Sequence, residues 1–460
     1  MDLVIVGCFF IGMVFVGVLS FKRISGTGSF FVADRRGNTL LITGSLAATI
    51  VGGSSTIGMA GLGFEKGLVG AWWLLVGAVG LVILALLLAK RVRRYALFTL
   101  PELLGVQYGF GVKLAASVII SVAWLGIIAG QMVAAGKILE ILLPGYLDMM
   151  IVLSATVFMV YTLLGGQYSI LRTDTVQAAI LLLSIGICLP LSIGNAGGIE
   201  AIRDTLDASY FSFPINAHAD WTYVITLLLV VGSTYVVGPD IYSRLFCARD
   251  EGVARYSAVL TALIMIPLAF SITLIGMSAR VIAPGISPEG AFPAVVRDVL
   301  PVGVNALVIA GLLSAVMSSA DTCLLTTSTI ISADIIKPLL GRNMRDEHLL
   351  FISRAIIVLI GFLSLGIALR LKGVIRALLF GYAIYSAGLV LPVLFGFFGK
   401  QLRLHSLGAM AAIIGGGGVC ILGKWMGYSH FGLVGMGISG ILLFTVSWMV
   451  RFLGNGDGRG

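Results

Sequence analysis

The segment Gly44-Ser45-Leu46-Ala47-Ala48-Thr49-Ile50-Val51-Gly52-Gly53-Ser54-Ser55-Thr56-Ile57-Gly58 constrains this chain more than any other. It is apolar enough to sit in lipid, yet two adjacent glycines and three hydroxyl residues fall at its centre. Glycine costs about 1 kcal/mol relative to alanine inside a helix. A bilayer tolerates broken backbone only where it is buried in protein or lines a cavity. A spanning helix interrupted near the midplane therefore points to a binding site between helices. The same small residues also suit a close helix-packing face.

Composition fixes the solvent. Of 460 residues, 58% are hydrophobic and 11% charged, and the mean hydropathy is +1.07. Soluble domains are about 45–50% apolar and about 25% charged. Disorder and a soluble enzyme are excluded, and a polytopic all-α membrane protein is expected. The formal charge of +9 does not mark a nucleic-acid binder, because the basic residues fall in short clusters between apolar runs. Cys8, Cys188, Cys247, Cys323 and Cys420 show no metal-ligand spacing and read as small apolar fillers. The first run lacks a basic start and a small-residue cleavage site, so it is expected to be a retained helix.

At about 20 apolar residues per crossing, the sequence predicts about thirteen spans: 2–20, 39–64, 67–89, 111–139, 146–165, 170–193, 221–241, 256–282, 303–335, 349–370, 373–398, 405–423 and 431–452. With the N-terminus outside, one side collects Lys22, Arg23, Arg35, Arg36, Arg342, Arg459 and the clusters Lys90 to Arg94, Arg244 to Arg255 and Lys400 to Arg403. The tally is about 21 basic residues inside against 9 outside, which sets that orientation and a cytoplasmic C-terminus. The cluster Arg370 to Arg376 runs against the rule. Two polar outer connections, 194–220 and 283–302, are candidate parts of an outer lid.

Two further polar islands interrupt apolar runs. Gly311 to Thr322 holds Ser318, Ser319, Asp321 and Thr322 within about one turn. An aspartate at the bilayer centre costs about 2.5–3.5 kcal/mol, so it should face a cavity, a cation or a partner. Hydroxyls and carbonyls are hard ligands suited to a hard cation, although serines also back-bond to their own helix. Gly165 to Gln177 opens another span with Thr173 and Asp174. There an acid in the first turn suits the helix dipole and Thr173 suits a cap. The alternative is an acidic waypoint for a cation.

These residues resemble the sodium:solute symporter family over nearly the whole chain. The resemblance rests on Gly165-Gly166 with Thr173-Asp174-Thr175-Val176-Gln177, on Ala315 to Asp321, on Gly238-Pro239-Asp240 ahead of Arg244, and on Phe30-Phe31-Val32-Ala33-Asp34-Arg35. It implies a LeuT-type fold of two inverted five-helix repeats, 39–193 and 221–398, with a leading helix 2–20 and two trailing helices over 405–452. It also implies sodium between core helices 1 and 8. The ligands carried over are the carbonyls of Ala48, Val51 and Ala315 and the hydroxyls of Ser318 and Ser319; a one-residue slip would give Ala47 and Ile50. Some members carry a polar residue where this chain has Ile50. Some carry a second sodium site, whose positions fall here on Asp174, Ser318, Asp321 and Thr322. Two acids there suit a cation or a proton.

In that fold the solute lies beside the broken helix. The candidates are Gly52, Gly53, Ser54 and Ser55, with Trp72, Trp73, Gln131, Ser233, Thr234, Tyr235, Tyr382, Tyr385 and Ser386. No basic residue stands out at the expected midplane, so a carboxylate solute would need helix ends, amides or hydroxyls as partners. The expected solute is small and polar, either a monocarboxylate or a zwitterionic amino acid. The expected partners are solute, sodium and the lipid bilayer, with no cofactor and no nucleic acid. The sequence carries no signal for oligomeric state. Three rivals remain. One is a proton-coupled carrier using Asp174 and Asp321. Another is a transporter-like sensor, although a sequence that stops at Gly460 sets the expectation that no kinase follows. The third is a membrane enzyme, disfavoured because His218, His348, His405 and His430 are far apart and form no catalytic constellation.

Overall fold

The computed structural model describes residues 2–21, 26–341, 344–427 and 430–454. Lys22, Arg23, Arg342 and Arg459, counted above as cytoplasmic, lie outside the described residues. Among the described residues there are helices and turns and no strand. The long helices are α1 (Asp2–Phe21), α2 (39–66), α3 (67–95), α4 (Phe110–Glu140), α5 (147–165), α6 (167–195), α7 (Trp221–Cys247), α8 (Glu251–Ile282), α9 (Val304–Leu340), α10 (Asp346–Leu371), α11 (Val374–Gly396), α12 (Ser406–Trp425) and α13 (Phe431–Gly454).

Among the described residues, ten continuous helices are long and apolar enough to cross a membrane. Two of them, Ser54–Tyr95 and Leu147–Asn195, have 42 and 49 residues. At 1.5 Å per residue each far exceeds a hydrocarbon core of about 30 Å. Leu147–Asn195 bends at Gly166, whose φ of 53° and ψ of −174° separate α5 from α6. Phe30 packs so closely there that a Cβ on Gly166 would come within 2.6 Å of its ring. The start of α2 is set by Asn38, whose Oδ1 accepts from Leu41 N at 2.9 Å. Asp220 and Asp250 cap α7 and α8 in the same way, meeting the unpaired N–H groups of each first turn.

Burial sorts the helices. The most apolar stretch of α9 is 94% buried, against 22% for α13. A hydrophobic helix enclosed on all sides forms the core, and one exposed along most of its length faces lipid. Thus α9 is the axis, with α2, α4 and α6 packed on it, while α12 and α13 pair at the periphery.

Both α2 and α7 are broken. In α2 regular helix stops at Ile50, Val51 turns to ψ 62°, and the chain resumes in a wide helical turn over Ser54–Gly58. In α7 the break is at Gly238 (ψ 137°), after which Pro239 starts a second helix, Pro239–Cys247. That second segment carries α7 beyond the expected end at residue 241. Proline suits the first helical position because its fixed φ is helical and its missing N–H would be unpaired anyway.

Candidate functional site

The break in α2 faces the middle of α9. A Cβ on Gly52 would stand 2.9 Å from both Ser319 Cβ and Gln131 Oε1, and one on Gly53 would stand 3.1 Å from Gln131 Oε1. Only glycine lets the backbone approach α9 and α4 this closely. The N–H of Gly53, unpaired because the helix has just restarted, donates to Gln131 Oε1 at 2.8 Å. Ser55 Oγ donates to the Ile50 carbonyl at 3.1 Å, across the break.

Around this point lies a closed polar cluster. Ser319 Oγ donates to the Thr49 carbonyl at 2.5 Å, and Ser318 Oγ donates to Asp174 Oδ1 at 2.5 Å. Ser45 donates to the other carboxylate oxygen of Asp174. Arg244 reaches the same oxygen at 3.1 Å and also contacts Thr49 and Thr322. Asp321 Oδ1 accepts from Thr162 at 2.9 Å, while its buried Oδ2 finds no partner among the described residues. Asp174, Asp321, Arg244, Ser318, Ser319 and Thr322 are all at least 98% buried.

Several expectations change here. Asp174 is not a first-turn cap. It lies in the second turn of α6 and bridges α2, α7 and α9. Thr173 donates to Ser169 and Ile170 within its own helix. Arg244 was placed among cytoplasmic basic residues, yet its side chain is fully enclosed. The Gly238 break turns the second half of α7 inward and carries the guanidinium with it. Ser45, Thr49, Thr162 and Arg244 are members of the cluster that sequence reasoning left out of the site. The signal available for Arg244 was its place four residues past the Gly238-Pro239-Asp240 helix restart.

The solute candidates divide. Gly52, Gly53, Ser54, Ser55 and Gln131 gather at the α2 break; Ala48 and Val51, just ahead of it on α2, are buried, and so is Ala315 on α9, one turn before Ser318 and Ser319. Tyr385 donates its hydroxyl to the Val237 carbonyl, the last before the α7 break, and its ring meets Trp124 edge-on at 5.1 Å. Tyr385 thus ties down one broken helix as Gln131 ties down the other. Tyr235 packs against Gly77 and Gly80 of α3. Trp73 is buried with no partner for its indole N–H among the described residues, and Tyr382 is half-buried on α11. Thr234 and Ser386 bond within their own helices, and so does the half-buried Ser233, to Leu229 at 2.5 Å. Trp72 belongs to the outer surface, stacked on Phe213 and bonded to the Pro214 carbonyl at 2.8 Å.

Contacts between helices close off both ends of α4. On one side Glu289, in the 283–302 connection, pairs with Lys137 of α4 and accepts from Val374 N (3.1 Å) and Ile375 N (3.3 Å) at the start of α11. The 194–220 connection covers the α2–α3 turn, with Asn216 donating to the Lys66 carbonyl at 2.7 Å. On the other side Lys113 meets Asp334 at 2.8 Å and Thr99 donates to the same carboxylate at 2.5 Å, joining α4 to the end of α9.

Two broken helices meeting at a buried polar cluster agree with a match of the sodium:solute symporter family to residues 30–416. The chain belongs to the sodium:solute symporter family. Among similar proteins are the osmoregulated proline transporter OpuE of Bacillus subtilis (23% identical, 90% of this chain, 87% of that one) and the sodium/proline symporter of Haemophilus influenzae (24%, 88% and 84%). The sodium/glucose cotransporter of Vibrio parahaemolyticus is 24% identical over 85% of this chain and 77% of its own length. These are transporters, and this symporter-family chain is a multi-pass membrane transporter rather than an enzyme. Its fold matches the substrate-bound outward-open state of a Na+-coupled sialic acid symporter, with a TM-score of 0.84 at 17% identity over 97% and 98% of the two chains. It also matches Mhp1, a nucleobase-cation-symport-1 transporter, with a TM-score of 0.62 at 14% identity over 92% and 95%. The fold is therefore LeuT-like, and the family supports sodium as the coupling ion.

Proposed function

We propose that this protein couples sodium entry to uptake of a small polar organic solute, a monocarboxylate or an amino acid, by alternating access. The observation that carries the reading is the direction of two hydroxyl protons. Ser318 donates to Asp174 and Ser319 to the Thr49 carbonyl. A hydroxyl has one proton and two lone pairs, so both serines keep acceptors for a hard cation. The carbonyls of Ala48, Val51 and Ala315 complete the proposed sodium set.

Charge supports it. Asp174 and Asp321 are two buried carboxylates, and Arg244 is the single guanidinium bonded within the cluster. A surplus buried negative charge is costly, and one monovalent cation cancels it. The unpartnered Oδ2 of Asp321 also favours a second reading, in which a proton resides there and Asp174, Asp321 and Thr322 form a second cation or proton site. Uptake with sodium removed at fixed pH separates the two.

The solute site is proposed at Gly52 to Ser55, with Gln131 and Tyr385 exchanging their present helix-end bonds for solute contacts as the gates open. The proline symporters among the relatives support an amino acid. Glu289 is the proposed outer gate and Lys113–Asp334 the inner one. The proposed orientation keeps the N-terminus outside and the C-terminus cytoplasmic, since moving Arg244 into the interior does not reverse the basic-residue bias. A thermal-shift screen of a solute panel with and without sodium tests this function, because a ligand of the folded state raises the melting temperature. No solute-dependent shift in sodium would count against it.

A further inference from the structure

A cleft of about 880 Å3 opens where α3, α11 and α13 end, far along the chain from the polar cluster. Its wall comprises Tyr95, the short helix Leu100–Tyr108, the turn 397–405 and Arg451. Lys400, Arg403, His405 and Arg451 line it, and among the described residues no carboxylate does. None of the four forms an ion pair among the described residues. A concave surface lined by one sign of charge concentrates the opposite sign.

The remaining polar groups sharpen this. Arg451 donates to the carbonyls of Leu402 (3.2 Å) and Arg403, pinning the turn against α13. His405 Nδ1 accepts from Leu407 N at 3.2 Å. A neutral His405 ring therefore carries its proton on Nε2, which remains a donor. Gln107, in the same wall, has both side-chain amide atoms buried with no partner among the described residues. An unmet buried polar group costs about 1–3 kcal/mol, so the amide is suited to a polar occupant.

The neighbouring surface identifies the source of the anion. Beside the cleft, Leu407 is 56% exposed, Phe452 70% and Leu453 74%. Trp448 stacks on Phe452 with centroids 5.5 Å apart. Exposed aromatics next to basic residues at helix ends mark the headgroup level of a bilayer. We propose that the cleft binds the phosphate-bearing headgroup of an anionic phospholipid from the adjoining leaflet. Lys400, Arg403 and His405 hold the phosphate, Gln107 meets the polar headgroup, and the acyl chains lie along α12 and α13. A free phosphate shares the charge chemistry but leaves the apolar surface unused.

The test uses the purified full-length chain in detergent. Melting temperature is followed during titration with dioleoylphosphatidylglycerol, dioleoylphosphatidylcholine or glycerol phosphate, which has the headgroup phosphate without chains. The expected result is saturable stabilisation by phosphatidylglycerol and none by phosphatidylcholine, with glycerol phosphate acting only at far higher concentration. Lys400→Gln should weaken phosphatidylglycerol binding about fivefold, as one basic group near an anionic surface provides, and Lys400→Gln/Arg403→Gln more than that. Lys90→Gln, an exposed basic residue outside the cleft, should bind like wild type. Lys400 is exposed, so its single variant decides the matter if the double variant does not fold. Equal stabilisation by both lipids, unchanged binding by Lys400→Gln, an equal loss in Lys90→Gln, or glycerol phosphate matching the lipid would each overturn the proposal.

Discussion

Arg244 and Asp174 form an enclosed ion pair, Nη2 to Oδ2 3.1 Å, that ties the inward half of α7 to the second turn of α6. Removing one partner of a buried pair leaves an uncompensated charge and typically costs about 3–5 kcal/mol. Asp174→Asn should lower thermal stability and abolish sodium-dependent uptake. Asp174→Asn/Arg244→Met should regain much of the stability without regaining sodium dependence. Melting curves and uptake assays on the two variants and the wild type check this; an Asp174→Asn protein that melts and transports like wild type would show the pair to be dispensable.

Ser318→Ala and Ser319→Ala each remove one proposed sodium ligand. Loss of a hydrogen-bond-strength interaction of about 1–1.5 kcal/mol should raise the sodium concentration for half-maximal uptake on the order of tenfold. Ser319→Ala also frees the Thr49 carbonyl that it now holds. Unchanged sodium dependence in both variants would place the ion elsewhere.

The backbone of the α2 break has no room for side chains. Gly52→Ala and Gly53→Ala should each push against Gln131, and Gly52→Ala also against Ser319. Overpacking of this kind costs about 1–3 kcal/mol. Solute and sodium binding should weaken while membrane insertion, measured by expression in the membrane fraction, stays intact. Wild-type binding in both alanine variants would mean that the close approach is not needed.

Glu289 fastens the 283–302 connection to the first turn of α11. Glu289→Ala removes the acceptor for Val374 and Ile375. Amide exchange at the start of α11 should quicken several-fold, in keeping with a net hydrogen-bond contribution of about 0.5–1.5 kcal/mol. Exchange mass spectrometry on peptides covering 373–385 reads this, and unaltered protection would show that the connection does not hold α11.

The sequence made the membrane class legible because long apolar runs leave no other solvent for the chain. The α2 break was legible too, since Gly52-Gly53 followed by three hydroxyl residues cannot favour a continuous helix. The resemblance in motifs supplied the architecture, which apolar runs alone do not specify. Arg244 was hidden because a charged residue near the end of a span reads as a loop cation until the Gly238 break turns it inward. Thr49 and Ser45 were hidden because a single hydroxyl in an apolar helix gives no sign of which neighbour it meets. The roles of Gln131 and Tyr385 in holding the two breaks depend on contacts between residues far apart in the chain, 78 and 148 positions respectively.

The central claim is that one backbone arrangement at Ala48 to Ser55 serves both ligands. Sodium at the carbonyls of Ala48 and Val51 would stabilise the break that presents Gly52 to Ser55 to the solute. Linkage then requires each ligand to tighten the other, typically by about 1–3 kcal/mol or roughly 5–150-fold. The most direct measurement is calorimetric solute affinity in sodium, potassium and choline salts at equal ionic strength. The expected affinity is at least several-fold higher in sodium than in the other two. Equal affinity in all three salts would contradict it.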